Sequence, residues 1–336
     1  MKKILITGAA GFIGFYLSQQ LLAKGHTIVG IDNMNDYYKV DLKEERIKKL
    51  AHVDNFTFIK GDLVDKSFID NLFQDNNFDI IVNLAAQAGV RYSIENPDVY
   101  IKSNIVGFYN ILEACRRNPV EHLLYASSSS VYGANKKVPF EETDNVDNPV
   151  SLYASTKKTN ELMAYTYSHL YDIPASGLRF FTVYGPMGRP DMAYYKFTDM
   201  FFRNEPIHIY NNGDFDNDLY RDFTYITDIV EGIEKLIGHP PIGTQSRPKH
   251  EIYNIGNNTP EKLMVFINSL EDALSNSLNR KIEFQKIYEP IKPGDVPATY
   301  ASTEKLEEIV GFKPKTSIQE GLQQFTDWYV KYYSKK

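Results

Sequence analysis

The chain's 336 residues, 43% hydrophobic and 24% charged, suit one large domain plus a smaller lobe with ample surface to bury a core. A net charge of −6 argues against nucleic acid as the main partner, because phosphate backbones select concentrated Lys and Arg. The single cysteine, Cys115, excludes an internal disulfide and points to the cytoplasm, and no segment approaches the ~18 apolar residues of a membrane span.

At the start, Lys2 and Lys3 before Ile4-Leu5-Ile6 imitate a signal peptide, but Thr7 and Gly8 interrupt the apolar run and none is expected. The run reads as a first strand that stops at Gly8-Ala9-Ala10-Gly11-Phe12-Ile13-Gly14 and passes into a helical pattern of Phe15, Leu17, Leu21 and Leu22. A strand ending in glycines can turn sharply, bring backbone against a pyrophosphate and start a helix whose N-terminal amides stabilise that anion. Thr27 to Ile31 forms a second strand ending at Asp32, where a carboxylate accepts hydrogen bonds from the adenosine ribose and repels a 2′-phosphate. NAD is therefore expected over NADP, whereas a turn serving packing alone leaves Asp32 unexplained.

Further strands are predicted at Phe56 to Ile59, Ile80 to Leu84, Leu123 to Ala126 and Ala175 to Phe180, with helices between them. One helix follows Pro97, with Val99, Ile101, Ile105, Phe108, Ile111 and Leu112 as its apolar face and Cys115 as a buried thiol. Another covers Leu152 to Leu170. Such strict alternation requires right-handed crossovers and gives an α/β fold of the Rossmann type, a doubly wound parallel sheet covered on both faces.

From Asp191 the pattern shortens into helices at Ala193 to Arg203, Ile229 to Ile237 and Leu263 to Leu274, and strands at Ile207 to Tyr210, Ile252 to Ile255 and Ile282 to Phe284. This reads as a smaller mixed α/β substrate-binding lobe at the C-terminal end. Residues 1–180, with contributions from about 225–255, are expected to bind the cofactor and 181–336 mainly the substrate, the two interleaved.

In doubly wound sheets the ligand lies outside the carboxyl ends of the strands. After the third strand comes Gly61-Asp62-Leu63, where Asp62 either holds an adenine amino group or caps a helix. After the fourth come Ala85-Ala86-Gln87, small enough for a dinucleotide to lie against backbone; after the fifth, Ser127-Ser128-Ser129-Ser130; after the sixth, Thr182-Val183-Tyr184-Gly185-Pro186. Tyr153 and Lys157 stand one helical turn apart, so hydroxyl and ammonium share a face and form a candidate acid/base pair. Tyr132/Lys136, Tyr288/Lys292 and Tyr332/Lys336 have the same spacing, but only Tyr153 opens a long helix downstream of the serine-rich strand end. The seven histidines lack paired ligand spacing, and no metal is expected.

Gly8 to Gly14, Ser127 to Ser130, Tyr153/Lys157 and Arg221-Asp222-Phe223-Thr224-Tyr225-Ile226 together resemble the extended short-chain dehydrogenase/reductases that act on nucleotide sugars, over nearly the whole chain. Asp32 to Tyr38, Ala85 to Ser93 and Arg179 to Pro186 are similar to UDP-glucuronate 4-epimerases in particular. Two features depart from that pattern. The loop from Gly213 to Tyr220 is longer, and Met187 stands where many relatives carry tryptophan.

The resemblance implies reversible C4 epimerisation of a UDP-uronic acid, UDP-glucuronate to UDP-galacturonate, through a transient 4-ketone. The C4 hydrogen is not acidic, so inversion needs oxidation: Tyr153 as phenolate takes the 4-OH proton while hydride passes from C4 to tightly bound NAD, then returns to the other face. An ordinary tyrosine titrates near 10, so this base needs about 4 kcal/mol of preference for the anion, expected from Lys157 and the nicotinamide cation. Ser128 would donate to the reacting sugar oxygen, completing a catalytic set of Tyr153, Lys157 and Ser128.

The family positions implied for the cofactor are Gly8, Gly11, Phe12, Ile13, Gly14, Asp32, Asn33, Asn35, Asp62, Leu63, Leu84, Ala85, Ala86, Gln87, Asn104, Ser127, Tyr153, Lys157 and Phe181. For the substrate they are Ser128 and Tyr184, with Ser129, Thr182 and one or both of Arg91 and Arg189 expected to hold the uronate carboxylate near the carbonyl plane so that the β-keto acid keeps its carbon dioxide. Arg221 is implied on the diphosphate, with a surface ion pair to Asp222 as the alternative, and Lys292 and Asp295 near phosphate and uridine ribose. Relatives suggest a homodimer that pairs the helix after Pro97 with the helix of Tyr153. A UDP-glucuronate decarboxylase, another UDP-sugar 4-epimerase and a 4,6-dehydratase share the oxidation step, but elimination wants carboxylates where Ser129 and Ser130 stand. A non-catalytic dinucleotide sensor needs no Tyr153, and a plain alcohol dehydrogenase would release its cofactor every turn.

Overall fold

Short apolar runs alternating with helix-length segments build a parallel sheet wrapped on both faces. The structure, a computed structural model, describes residues 1–211, 213–214, 218–290 and 298–334. In its first half β1 (Lys3–Thr7), α1 (Phe12–Ala23), β2 (Thr27–Asp32), α2 (Asp41–Leu50), β3 (Phe56–Lys60), α3 (Lys66–Gln74) and β4 (Ile80–Asn83) follow in order. Then come α4 (Tyr92–Glu95), α5 (Pro97–Tyr100), a π-helical turn (Ile101–Val106), α6 (Gly107–Arg117), β5 (His122–Ser128), a 3-10 turn (Ser129–Tyr132), α7 (Leu152–Tyr171) and β6 (Ala175–Phe180). The second half holds β7 (Thr182–Tyr184), α8 (Ala193–Phe202), β8 (Ile207–Ile209), β9 (Tyr220–Tyr225), α9 (Ile226–Ile237), β10 (His250–Ile255) and β11 (Pro260–Lys262). It ends with α10 (Leu263–Leu278), β12 (Lys286–Tyr288), β13 (Ala298–Thr299), α11 (Glu304–Val310) and α12 (Ile318–Tyr333).

The main sheet has seven parallel strands in the order β10-β6-β5-β4-β1-β2-β3, with Ile4 opposite Ile28 on one side and Ile80 on the other. Alternation along each strand feeds two cores. Ile4 and Ile6 of β1 join the cluster of α1 and α9, while Leu5 joins the cluster of α3, α6 and α7. The order reverses between β1 and β4, so the cleft for a ligand falls above those two strands.

The expected strand at Ile282 to Phe284 is not formed. Ile282 and Phe284 are buried, but their N–H groups bond Ser275 Oγ at 2.8 Å and Glu271 Oε1 at 2.5 Å on α10, so the alternation reflects packing on a helix and the ladder begins at Lys286. Thr182 to Tyr184, expected as a strand-end loop, is a short strand paired with β9 in a second sheet. The single helix expected after Pro97 is interrupted by the π turn, whose extra residue turns Asn104 inward. Asn104 bonds the Gln87 carbonyl at 3.0 Å and the Gln87 N–H at 2.8 Å, and Asn160 of α7 takes the Asn104 carbonyl at 2.6 Å.

Cys115 is buried, and burial pushes its thiol up to about 12, which suits a core residue. Ile101 and Val106 of the π turn, Tyr109 of α6, and Leu162, Tyr165, Leu170 and Tyr171 of α7 leave an apolar outer face exposed. Among the described residues no helix is long and apolar enough to cross a membrane.

Candidate functional site

The glycine turn after β1 packs backbone on backbone. Gly8 has φ +72°, its N–H reaches the Ile31 carbonyl at 2.7 Å, and a side chain there would stand 2.9 Å from Ala85 N. A side chain on Gly14 would stand 2.2 Å from the Gly8 carbonyl oxygen. α1 begins at Phe12 with no side-chain cap and no acid in its first turn, leaving its leading N–H groups to an anion. Asp32 closes β2 in the same cleft, accepting from Met34 N at 2.8 Å. These features fit a bound dinucleotide.

The cleft over the strand ends has a volume of about 260 Å3. Every implied cofactor position except Asn104 lines it, from the glycines through Asp32, Asn33, Asn35, Asp62 and Gln87 to Ser127, Tyr153, Lys157 and Phe181. Asn104 stands behind the wall and fixes Gln87. Asp62 is not the cap of α3, because Asp65 takes that place; Asp62 accepts from Val64 N at 3.0 Å and from Asn33 Nδ2 at 3.0 Å. Tyr37, Tyr38, Lys43, Ser103 and Met192 also line the cleft and escaped the sequence reading.

The acid/base pair is set by two elements. Ser127 and Ser128 end β5, and Ser151 caps α7 by accepting from Ala154 N at 3.1 Å, which fixes the first turn carrying Tyr153. Lys157 is buried, donates to the Ala126 carbonyl at 2.9 Å and lies 6.0 Å from the centre of the Tyr153 ring. Burial holds the Tyr153 phenol above its ordinary value, against a hydrogen bond from Ser128 and the positive charge of Arg189. Burial likewise lowers the Lys157 ammonium to about 8. The expected depression of Tyr153 by Lys157 is not seen in the protein alone: the groups that lower the phenol are Ser128 and Arg189, and desolvation outweighs them.

One turn beyond Lys157, Glu161 accepts from Ser127 Oγ at 2.6 Å and pairs with Arg179 through two bonds of 2.9 Å, all buried. Arg179 in turn lies 4.8 Å from the Tyr132 ring centre. This chain anchors the serine-rich strand end from below.

A second cavity of about 280 Å3 is lined by Arg91, Thr182, Asp191, His208, Tyr210 and Arg221, among others. Met192 belongs to both linings, so the two cavities adjoin there. Arg91 stacks over Tyr210 at 5.2 Å, and at the mouth of the first cleft Arg189 pairs with Asp191 at 2.5 Å. The surface pair of Arg221 with Asp222 is not available. Asp222 is wholly buried, and its carboxylate takes the N–H groups of Asn257 at 2.7 Å, Asn258 at 3.0 Å and Ala301 at 3.2 Å. Ser129 lines neither cavity, and Tyr184 is wholly buried with its hydroxyl on the Ser317 carbonyl at 3.1 Å. Lys292, Asp295 and part of the 213–220 loop lie outside the described residues. Met187 is buried with φ 53°, at the start of the loop that carries Arg189.

The family profile described as GDP-mannose 4,6 dehydratase matches residues 5–325. The chain belongs to this family. These are extended short-chain dehydrogenase/reductases, as the motifs suggested. Protein CapI of Staphylococcus aureus is 51% identical over 344 residues, covering 99% of this chain and 100% of the relative. A probable UDP-glucuronate 4-epimerase of Rhizobium meliloti is 43% identical over 98% of each chain. Among solved structures, UDP-glucuronic acid 4-epimerase from Bacillus cereus in complex with UDP-glucuronic acid and NAD superposes with a TM-score of 0.87 at 32% identity, covering 98% of this chain and 100% of that one. The seven-stranded parallel sheet of the family is the fold described above.

Proposed function

We propose that this chain is an NAD-dependent isomerase that interconverts UDP-glucuronate and UDP-galacturonate at C4. The observation that carries the reading is Tyr153, Lys157 and Ser128 at the floor of a glycine-cradled cleft that adjoins an arginine-lined cavity at Met192. Residues 1–180 form the NAD-binding domain, with about 225–255 completing its sheet and core through α9 and β10, and 181–336 hold most of the nucleotide sugar while adding Phe181, Val183, Arg189 and Met192 to the cofactor cleft.

Bound in this cleft, NAD would supply a reversible two-electron acceptor for C4 and, while oxidised, a positive charge. Gly8, Gly11 and Gly14 let its pyrophosphate approach backbone, and Asp32 binds the adenosine ribose. Tyr153 removes the 4-OH proton and gives it back. Burial, and to a lesser degree the Asp191 charge, oppose its phenolate, while the Ser128 hydrogen bond and the Arg189 charge favour it; Lys157 and the nicotinamide cation are proposed to supply the rest. Arg221 holds the diphosphate, and Thr182 with one or both of Arg91 and Arg189 restrains the uronate carboxylate, a role that Ser129, outside both cavity linings, is not given.

The family includes 4,6 dehydratases by name, yet the acids lining the cofactor cleft among the described residues are Asp32 and Asp62, at the adenosine end. Elimination would want acids beside Ser128. The exposed apolar faces of α6 and α7 support pairing with a second copy across a two-fold axis, giving a cytoplasmic homodimer.

The test is to incubate the purified protein with UDP-glucuronate and follow the sugar protons by NMR. UDP-galacturonate, with deuterium at C4 retained in the molecule, is the expected product. UDP-xylose instead would make the chain a decarboxylase, and washout of the C4 label into solvent would overturn the redox route.

A further inference from the structure

Arg46 stands on α2, outside both cavity linings, and is wholly buried. Its partners are all neutral oxygens. Nη1 donates to the Ala10 carbonyl at 2.7 Å and to the Tyr38 hydroxyl at 2.8 Å. Nε and Nη2 both donate to the Met187 carbonyl, at 3.2 and 2.5 Å, and Nη2 also reaches the Gly188 carbonyl at 3.2 Å. A guanidinium has five N–H donors in a rigid plane, so the side chain is fully used. Among the described residues no carboxylate pairs with it, so its desolvation is offset only by these hydrogen bonds to carbonyl and hydroxyl oxygens.

The three segments it ties are functionally distinct. Ala10 lies inside the glycine turn that cradles the pyrophosphate. Tyr38 closes the loop after Asp32 at the adenosine end and lines the cleft. Met187 and Gly188 begin the loop whose Arg189 stands at the mouth of the cleft, and Met187 holds a left-handed φ of 53° there. The planar fork spans 36 residues in one direction and 141 in the other, a reach that a lysine's point charge cannot copy.

We infer that Arg46 is a positioning residue that couples the cofactor cradle to the Arg189 loop, so that each half of the site holds the other in register. The inference rests on the proposed function for what the Arg189 loop binds, but not for the coupling itself. Gly188 offers an independent handle. It lines neither cavity, and a side chain there would stand 1.8 Å from the Tyr194 hydroxyl and 2.9 Å from the Gly185 carbonyl oxygen, so Gly188→Ala displaces the loop, the Tyr194 ring or both, while the Arg46 side chain itself is unaltered.

The experiment purifies the full-length wild type, Arg46→Lys and Gly188→Ala, desalts them, and measures bound NAD in the denatured supernatant together with KM and kcat for UDP-glucuronate in saturating NAD. Both variants should lose more than half of their cofactor, although neither residue touches it. KM should rise about tenfold with kcat changed less than about threefold, as expected for a displaced binding loop rather than a lost catalytic group. In combination with Arg189→Ala the effect of Arg46→Lys on KM should shrink, because both act through one loop. Arg46→Lys with reduced thermal stability but wild-type cofactor content and KM overturns the proposal. If Arg46→Lys does not fold, full cofactor content in Gly188→Ala overturns it. A wild type inert toward UDP-glucuronate would sink the functional reading, and the cofactor contents would still decide this one.

Discussion

The Lys43 ammonium lies 3.6 Å from the Asp32 carboxylate, and both side chains are buried at the adenosine end of the cleft. Lys43 also bonds Asn35 Oδ1 at 2.9 Å and lies 5.3 Å from the Tyr38 ring centre. Asp32 therefore repels a 2′-phosphate next to a cation that would attract one. The preference for NAD hangs on a single negative charge. Asp32→Asn keeps the shape and the acceptor for Met34 while leaving Lys43 in place, so NADP binding should tighten by about tenfold or more, measured by equilibrium dialysis. Lys43→Met in the same background should reverse the gain; NADP affinity unchanged in Asp32→Asn would show that shape, not charge, makes the choice.

Lys43 and Arg46 escaped the sequence reading for one physical cause. Within Asp41-Leu42-Lys43-Glu44-Glu45-Arg46 nothing local marks a charge as buried, because Lys and Arg are buried only when specific oxygens wait for them. Leu42, Lys43, Arg46 and Leu50 nevertheless fall on one face of α2, and that face is the buried one. The apolar helical spacing of Leu42 and Leu50 was the available signal. The strands of the main sheet were legible because continuous apolar runs are characteristic of sheets covered on both faces, and the glycine turn because each glycine is sterically required. Tyr153 and Lys157 were legible from position on α7, whereas the Tyr153 environment was not, since burial depends on neighbours such as Tyr100 from elsewhere in the chain.

Thr182 lines the second cavity close to the junction with the cofactor cleft, where the proposed carboxylate restraint would act. A β-keto acid loses carbon dioxide when its carboxylate turns out of the carbonyl plane, and a hydroxyl donor opposes that rotation by roughly 1.5 to 3 kcal/mol when the acceptor is charged. Thr182→Val preserves volume and removes the donor. The fraction of turnovers ending in carbon dioxide should rise by about tenfold, read as released carbonate against UDP-galacturonate formed. An unchanged ratio would remove Thr182 from the restraint.

Glu161 is the only carboxylate seen paired with Arg179 among the described residues, and both side chains are nearly inaccessible. Glu161→Gln keeps an oxygen for Ser127 but leaves the guanidinium buried without its counter-charge, which should destabilise the fold by about 3 kcal/mol in urea unfolding. Activity per folded molecule should fall as well, because Ser127 adjoins Ser128. A urea midpoint equal to wild type would mean that the Tyr132 ring and neighbouring carbonyls suffice for Arg179.

Lys157 carries the clearest conflict between stability and function. Burial lowers its ammonium from 10.5 to about 8, so below pH 8 both folded and unfolded chains hold the proton and the full penalty, roughly 3 kcal/mol, is in force. Between pH 8 and 10.5 the unfolded chain binds a proton that the folded chain does not, so this lysine's penalty fades and wild-type stability rises relative to a variant without it. Lys157→Met removes the buried cation but also the donor to the Ala126 carbonyl, a loss of about 1 kcal/mol. The variant, freed of cofactor, should therefore be more stable than equally treated wild type by about 2 kcal/mol at pH 7. The advantage should shrink steadily above pH 8 and vanish by about pH 10. Thermal melts of both proteins across that range check the sign, and a constant difference would mean that Lys157 does not titrate there. The same variant should lose nearly all epimerisation, since the cation that destabilises the fold is the one that the Tyr153 base requires.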